Sequence, residues 1–157
     1  MTSFTAQPDR QEVVVTRTFD APRELVFSMF TDPDAIRRWW GLGHRELVID
    51  RMEVRPGGRW RYVDHDENGV EYGFHGVYHQ ITPPERLVYT FEYEDTPARV
   101  VLETVTLEDA GGRTKVTVTS VFQSVADRDW MVDHGMESGK RRGMDVLAEL
   151  LEKARAG

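Results

Sequence analysis

The sequence predicts an α+β fold, in which a curved antiparallel sheet of seven strands wraps around one long C-terminal helix and two short helices lie between strands one and two. Three observations carry this expectation. Apolar residues recur at every second position through residues 46–122, with turn residues at each break. The links between these runs are too short for the crossover that parallel neighbours require. Beyond residue 124 the period becomes helical, and no proline interrupts it.

Taken in order, residues 1–10 are polar with one proline and read as a flexible tail, leaving 11–157 as a single domain. EVVVTRTFD (12–20) reads as a strand. Asp20 is placed to cap a helix whose first turn holds Pro22 and whose apolar face carries Leu25, Val26, Met29 and Phe30. Thr31-Asp32-Pro33 breaks that helix, and Asp32 caps a second, DAIRRWW, which stops at Gly41 and Gly43. Six strands are then expected. They are ELVIDRMEV (46–54), RWRYVDH (59–65), EYGFHGVYHQI (71–81), RLVYTFEYE (86–94), VVLETVTLE (100–108) and TKVTVTSVF (114–122). Asn68-Gly69 signals a two-residue hairpin, and Gly111-Gly112 closes another. Ser124 and Asp127 resemble a capping box for the last helix, which would run about 45 Å from 125 to 155. Gly135 marks a possible break in it. Its firmer half carries Met136, Gly139 or Lys140, Gly143, Met144, Leu147 and Leu151 at helical spacing.

Composition narrows the function. With 20 basic against 27 acidic side chains and a net charge of -7, the chain lacks the clustered cations that bind phosphate backbones, so no nucleic-acid partner is expected. There is no cysteine, which excludes disulfides, thiolate metal sites and a cysteine nucleophile, and fits a cytoplasmic location. No apolar stretch approaches membrane-helix length, so no membrane insertion is expected.

One long helix can cover only one face of such a sheet. The strands agree, since Leu87, Tyr89, Phe91 and Tyr93 alternate with Val88, Thr90, Glu92 and Glu94, and Trp60 and Tyr62 alternate with Arg59 and Arg61. A twisted sheet that curls round a helix leaves space between them. The inward aromatics serve either as plain core packing or as cavity walls. Two features point to walls: Gly139 and Gly143 withhold side chains where the sheet offers large rings, and inward tyrosine hydroxyls need partners. Glu103 is in phase with the inward Val101, Val105 and Leu107. Either a bulge turns it outward, or it is a carboxylate inside the cavity. The candidate ligand-binding residues are therefore Trp60, Tyr62, Phe74, Tyr78, Tyr89, Phe91, Glu103 and Met144.

Five segments together resemble a known superfamily. They are FDAPRELVFSMFTDP (19–33) with RRWWG (37–41), RPGGRWRY (55–62), FHGVYHQITPPERLVYTFEYE (74–94), GRTKVTVTSVF (112–122) and RDWMVDHGMESGKRRGMDVLAELL (128–151). The ordered set is similar to the helix-grip (START-like, SRPBCC) superfamily of lipid-transfer domains, pollen allergens and polyketide cyclases. Within it, the chain resembles the bacterial branch named after the activator of the heat-shock protein 90 ATPase. The resemblance implies the helix-grip fold and a function seated in the pocket, with no fixed catalytic constellation to carry over. In the eukaryotic activator such a domain follows another. Many relatives carry a large aromatic where this chain has Lys140, a cation placed at the pocket rim or reaching solvent.

Searches for chemistry return little. His75 and His79 share a strand face about 13 Å apart, too far to chelate one ion, and His44, His65 and His134 form no motif with them. No metal and no cofactor is expected. There is no GxSxG elbow and no phosphate loop, DHDENG (64–69) lacks calcium-loop spacing, and catalytic residues stay unassigned. The leading expectation is binding of a small hydrophobic or aromatic molecule between sheet and helix. The alternatives are an interaction module acting on a chaperone or another protein, and a cyclase- or hydrolase-type enzyme using pocket tyrosines and Glu103 as acid or base.

Overall fold

The computed structural model describes residues 1–41 and 47–156. The expected helix stop at Gly43, the histidine His44 and the strand start at Glu46 lie outside the described residues. The chain forms β1 (Ser3–Thr5), β2 (Glu12–Phe19), α1 (Arg23–Thr31), α2 (Pro33–Trp39), β3 (Val48–Met52), β4 (Arg59–His65), β5 (Glu71–Thr82), β6 (Arg86–Tyr93), β7 (Val101–Ala110), β8 (Arg113–Val121), α3 (Val125–Asp133) and α4 (Met136–Ala156). The sheet order is β1-β2-β8-β7-β6-β5-β4-β3, and every pairing is antiparallel. Residues 48–121 are thus a six-strand meander, and β2 joins its far edge against β8. This is the helix-grip architecture.

The strand count is eight, not seven. The eighth, β1, lies within the segment read as a tail. It pairs Phe4 with Val15, and Phe4 packs against the core. Two arginines reach this end of the chain from the helices. Buried Arg128 donates to the carbonyls of Gln7 (2.6 Å) and Glu12 (3.3 Å), and Arg141 donates to that of Thr2 (2.6 Å). These long-range contacts leave no local signal, so polar composition alone misreads the segment.

Capping chemistry sets the helix ends with one exception. The Asp32 carboxylate accepts the Asp34 N–H at the start of α2, and the Ser124 hydroxyl accepts the Asp127 N–H at the start of α3. The first helix differs: Pro22, not Asp20, stands at its N-cap, without a side-chain hydrogen bond. Gly135 adopts φ +93° and separates α3 from α4, as glycine can at little steric cost. Gly111 and Gly112 both have positive φ and form the tight turn between β7 and β8, with Ala110 opposite Arg113. The Asn68-Gly69 turn is longer than the two-residue hairpin expected. Asp66 accepts the N–H groups of Asn68 and Val70 (both 2.9 Å), and the loop spans 66–70.

The core lies between the concave face of the sheet and α4, with α1 and α2 filling one end. Val13, Val15, Leu87, Val105 and Val116 come from the sheet, and Met144, Leu147 and Leu151 form the buried stripe of α4. At the α1–α2 corner the Trp39 indole stands edge-on to Phe30 (5.0 Å) and donates to the Met29 carbonyl (2.8 Å).

The convex face is polar, and its arginines pair with acids. The Arg61 guanidinium makes a two-pronged contact with Glu94 (both 2.9 Å) and reaches Asp50 (3.4 Å), while His75 contacts Glu94 at 2.8 Å. Arg61, assisted by His75, holds the Glu94 carboxyl down at about 2 against its ordinary 4.5. A carboxylate whose pKa falls on folding stabilises the protein above its unfolded pKa. That contribution is lost as pH drops from about 4.5 towards 2. Because the pair is partly exposed, the effect should be on the order of 1 kcal/mol. Glu94→Gln is expected to lower stability at pH 7, with the two proteins converging near pH 2. Urea titrations across that range check it, and a gap that persists at pH 2 would remove the carboxylate from the explanation.

Candidate functional site: a cavity between sheet and helix

A cavity of about 240 Å³ lies between the inward face of the sheet and the α3–α4 junction. Its apolar wall is built by strand alternation. Phe74 on β5 and Phe91 on β6 point inward and stack at 5.6 Å, and Tyr89 follows two residues before Phe91 on the same face. Met144 closes the wall from α4. At the opposite side His134, Gly135 and Gly139 line the cavity and are exposed, so the helix junction forms its mouth. His134 stacks on Trp130 at 4.0 Å and its Nδ1 bonds the Trp130 carbonyl (2.6 Å), which turns Nε2 outward from that contact.

The eight candidate residues divide in two. Phe74, Tyr89, Phe91, Glu103 and Met144 line this cavity. Trp60, Tyr62 and Tyr78 do not. They surround a separate space of about 20 Å³, with Tyr89 common to both. Phe30, Trp39, Tyr89 and Trp40 form the wall between the two spaces, and Trp40, which follows α2, is its most contacted ring. Its ring is wedged edge-on against Tyr62 (5.2 Å), Phe74 (5.0 Å) and Trp60 (6.3 Å), and it lies on the boundary of both spaces. Burial, and for Tyr62 the neighbouring Tyr78 phenol, pushes these phenols above their ordinary range.

The two helical glycines also behave differently. A Cβ on Gly143 would touch the Trp39 carbonyl at 3.6 Å and its ring at 3.8 Å, so Gly143 is where α4 packs on α2. A Cβ on Gly139 would meet nothing within 4 Å. Both glycines line the cavity, but the space a side chain could enter without meeting a neighbour is at Gly139.

Besides the buried Asp64, which lines the cavity next to Gly41, a cluster of three polar side chains stands in its wall. The β7–β8 ladder runs from Leu102–Val121 to Ala110–Arg113 without a shift, so no bulge turns Glu103 outward. It points into the cavity, and the residue is 5% exposed. Its neighbours on either strand are Ser120 and Tyr89. The Ser120 hydroxyl donates to Glu103 Oε2 at 2.7 Å, and Lys140 Nζ lies 3.4 Å from the same oxygen. Glu103 Oε1 has no partner among the described residues, nor does the Tyr89 hydroxyl. Since every fully enclosed polar side-chain atom among those residues is paired, both atoms border open space. Burial, and next the Glu103 charge, drives the Tyr89 phenol well above its ordinary range, so it stays protonated.

Sequence reasoning missed Trp40 and Ser120 and left Lys140 open. Ser120 shares the two-residue phase of Val116 and Val118, and Lys140 stands four and seven residues before Met144 and Leu147. Both periods were therefore legible. Trp40 follows the last helical turn, where no period assigns a direction. Among the described residues no three histidine or acidic side chains gather as a metal site, and no helix is long and apolar enough to cross a membrane.

Solved structures share this architecture. Protein Ms6760 from Mycobacterium smegmatis is 20% identical, with 96% of this chain and 97% of that one covered at a TM-score of 0.87. A protein from Arthrobacter aurescens is 24% identical over 96% and 91% at 0.88. Protein CV1439 from Chromobacterium violaceum is 22% identical over 90% and 97% at 0.82. At these identities the likeness speaks for the fold alone. No curated protein sequence matches the chain. The family model described as activator of Hsp90 ATPase homolog 1-like protein matches residues 20–152, which hold strands β3 to β8, helices α1 to α3, most of α4 and every residue that lines the cavity, and the chain belongs to that family.

Proposed function

We propose that this protein binds a small, flat, apolar molecule in the cavity between β5–β8 and the α3–α4 junction. The observation that supports it most is the volume itself, about 240 Å³ bounded by Phe74, Tyr89, Phe91 and Trp40 and open at the helix junction. Cavities of about 150 Å³ accommodate a benzene ring, so this one suits about two fused rings. The co-chaperone reading has less to rest on. Among the exposed large apolar side chains, Leu102 and Val121 form one pair across β7 and β8 while Val48 lies on the edge strand β3, so they are not gathered into one docking face. The absence of cysteine agrees with action in the cytoplasm.

Naphthalene is a suitable probe. It should raise the melting temperature and quench tryptophan fluorescence, because Trp40 borders the space. Gly139→Leu should project a side chain into the open volume, while leucine's better helix propensity keeps α4 intact. The variant is expected to lose naphthalene binding by at least about tenfold, roughly 1.4 kcal/mol. Unchanged binding in a folded variant would place the ligand elsewhere.

A further inference from the structure

The cavity wall is mostly apolar, its polar side chains besides the Tyr89 hydroxyl being Asp64 beside Gly41, His134 at the mouth and the Glu103–Ser120–Lys140 cluster, and the chemistry of that cluster constrains what the cavity accepts. This deepens the ligand reading above and rests on it. Glu103 Oε2 is occupied by Ser120 and Lys140, whereas Oε1 borders the cavity without a partner. A buried carboxylate oxygen is an acceptor only, and leaving it unmatched under an apolar ligand is costly. A ligand that fills the space must therefore bring a donor to this point.

Charge narrows the donor. Lys140 already faces the carboxylate from α4 at 3.4 Å, so a second cation would be repelled by the ammonium while it approached the acid. An anionic group cannot donate and would meet the Glu103 charge. A neutral donor avoids both conflicts. The Tyr89 hydroxyl, from the strand on the other side of Glu103, adds a second requirement: it offers a proton with no acceptor among the described residues. The group that donates to one neighbour and accepts from another on a single atom is a hydroxyl. We propose that this cluster in the cavity wall selects a neutral hydroxyl carried on a flat ring system of about two rings, with Glu103 as its acceptor and Tyr89 or Lys140 as its donor.

The test compares four probes of one shape by titration calorimetry at neutral pH: naphthalene, 2-naphthol, 2-naphthoate and 2-naphthylmethylammonium. A hydrogen bond to a charged acceptor should make 2-naphthol bind roughly ten- to a hundredfold tighter than naphthalene. It should also bind tighter than either charged probe. In Glu103→Leu the ratio of naphthol to naphthalene affinity should fall to about threefold or less. The probe series on the parent protein stands alone should that variant fail to fold. Equal binding of naphthalene and 2-naphthol overturns the hydroxyl selection and leaves the apolar ligand reading standing. Tightest binding of 2-naphthoate overturns it in favour of an anion held by Lys140, and tightest binding of the ammonium in favour of a cation held by Glu103. No binding by any of the four overturns both readings.

Discussion

Gly76→Ala is expected to cost more than about 3 kcal/mol, at the upper end of what forced overpacking does. Gly76 lies in the middle of β5, opposite Trp60 on β4. The Trp60 indole passes over this position and donates to the Thr90 carbonyl on β6 at 3.1 Å, so one side chain links three strands. A Cβ on Gly76 would overlap the Thr90 carbonyl oxygen and sit 2.6 Å from the Trp60 ring nitrogen. Neither can yield cheaply. The carbonyl is backbone held by its strand, and the indole is buried in the core. The local ladder already makes room for this arrangement, since the Val77 N–H bonds the Thr90 hydroxyl in place of the carbonyl. Urea denaturation of the variant measures the loss. A loss below about 1 kcal/mol would mean that the indole does not cross β5 here.

Leu147→Ala is expected to cost about 2–5 kcal/mol, the range for a buried leucine truncation that leaves a cavity. Leu147 is 0% exposed and lies midway along the buried stripe of α4, between Met144 and Leu151. The site cannot collapse easily. The helix that carries it packs against β2 on one side and α1 and α2 on the other. Alanine keeps the helix propensity, so the loss reports packing rather than helix formation. Chemical denaturation with an unchanged m-value checks this. A small loss would place this face of α4 in solvent.

How much of this was legible in the sequence depends on the range of the forces involved. Strand alternation is local, and it placed Leu87, Tyr89 and Phe91 on the inward face, where the structure has them. The helical stripe of α4 and the break at Gly135 are local too. The register of β5 against β6 is not. Tyr78 faces Tyr89, yet Gln80 faces Val88, so the extra residue at His79 bulges and lets Ile81 return to the core. Composition offers no cue to that shift. Nor could it reveal that Trp40 would help to separate Trp60, Tyr62 and Tyr78 from the main cavity, because the position of a residue beyond a helix end is set by tertiary packing. The Glu103 ambiguity had the same origin. Its phase was readable, but only an unbroken β7–β8 ladder excludes the bulge. The N-terminal strand escaped because its anchors, Arg128 and Arg141, lie more than a hundred residues away in the chain.

The placement of Trp40 has a consequence for how binding range could change over generations. The interior holds two spaces, about 240 Å³ and about 20 Å³, whose shared wall is made by Phe30, Trp39, Trp40 and Tyr89. Of these four, Trp40 lies just past the end of α2, outside every strand ladder, and its ring is set against Tyr62 and Phe74. A smaller residue at position 40 would thin this wall on the side of Tyr62 and Trp60, with the hydrogen-bonded frame of the sheet untouched.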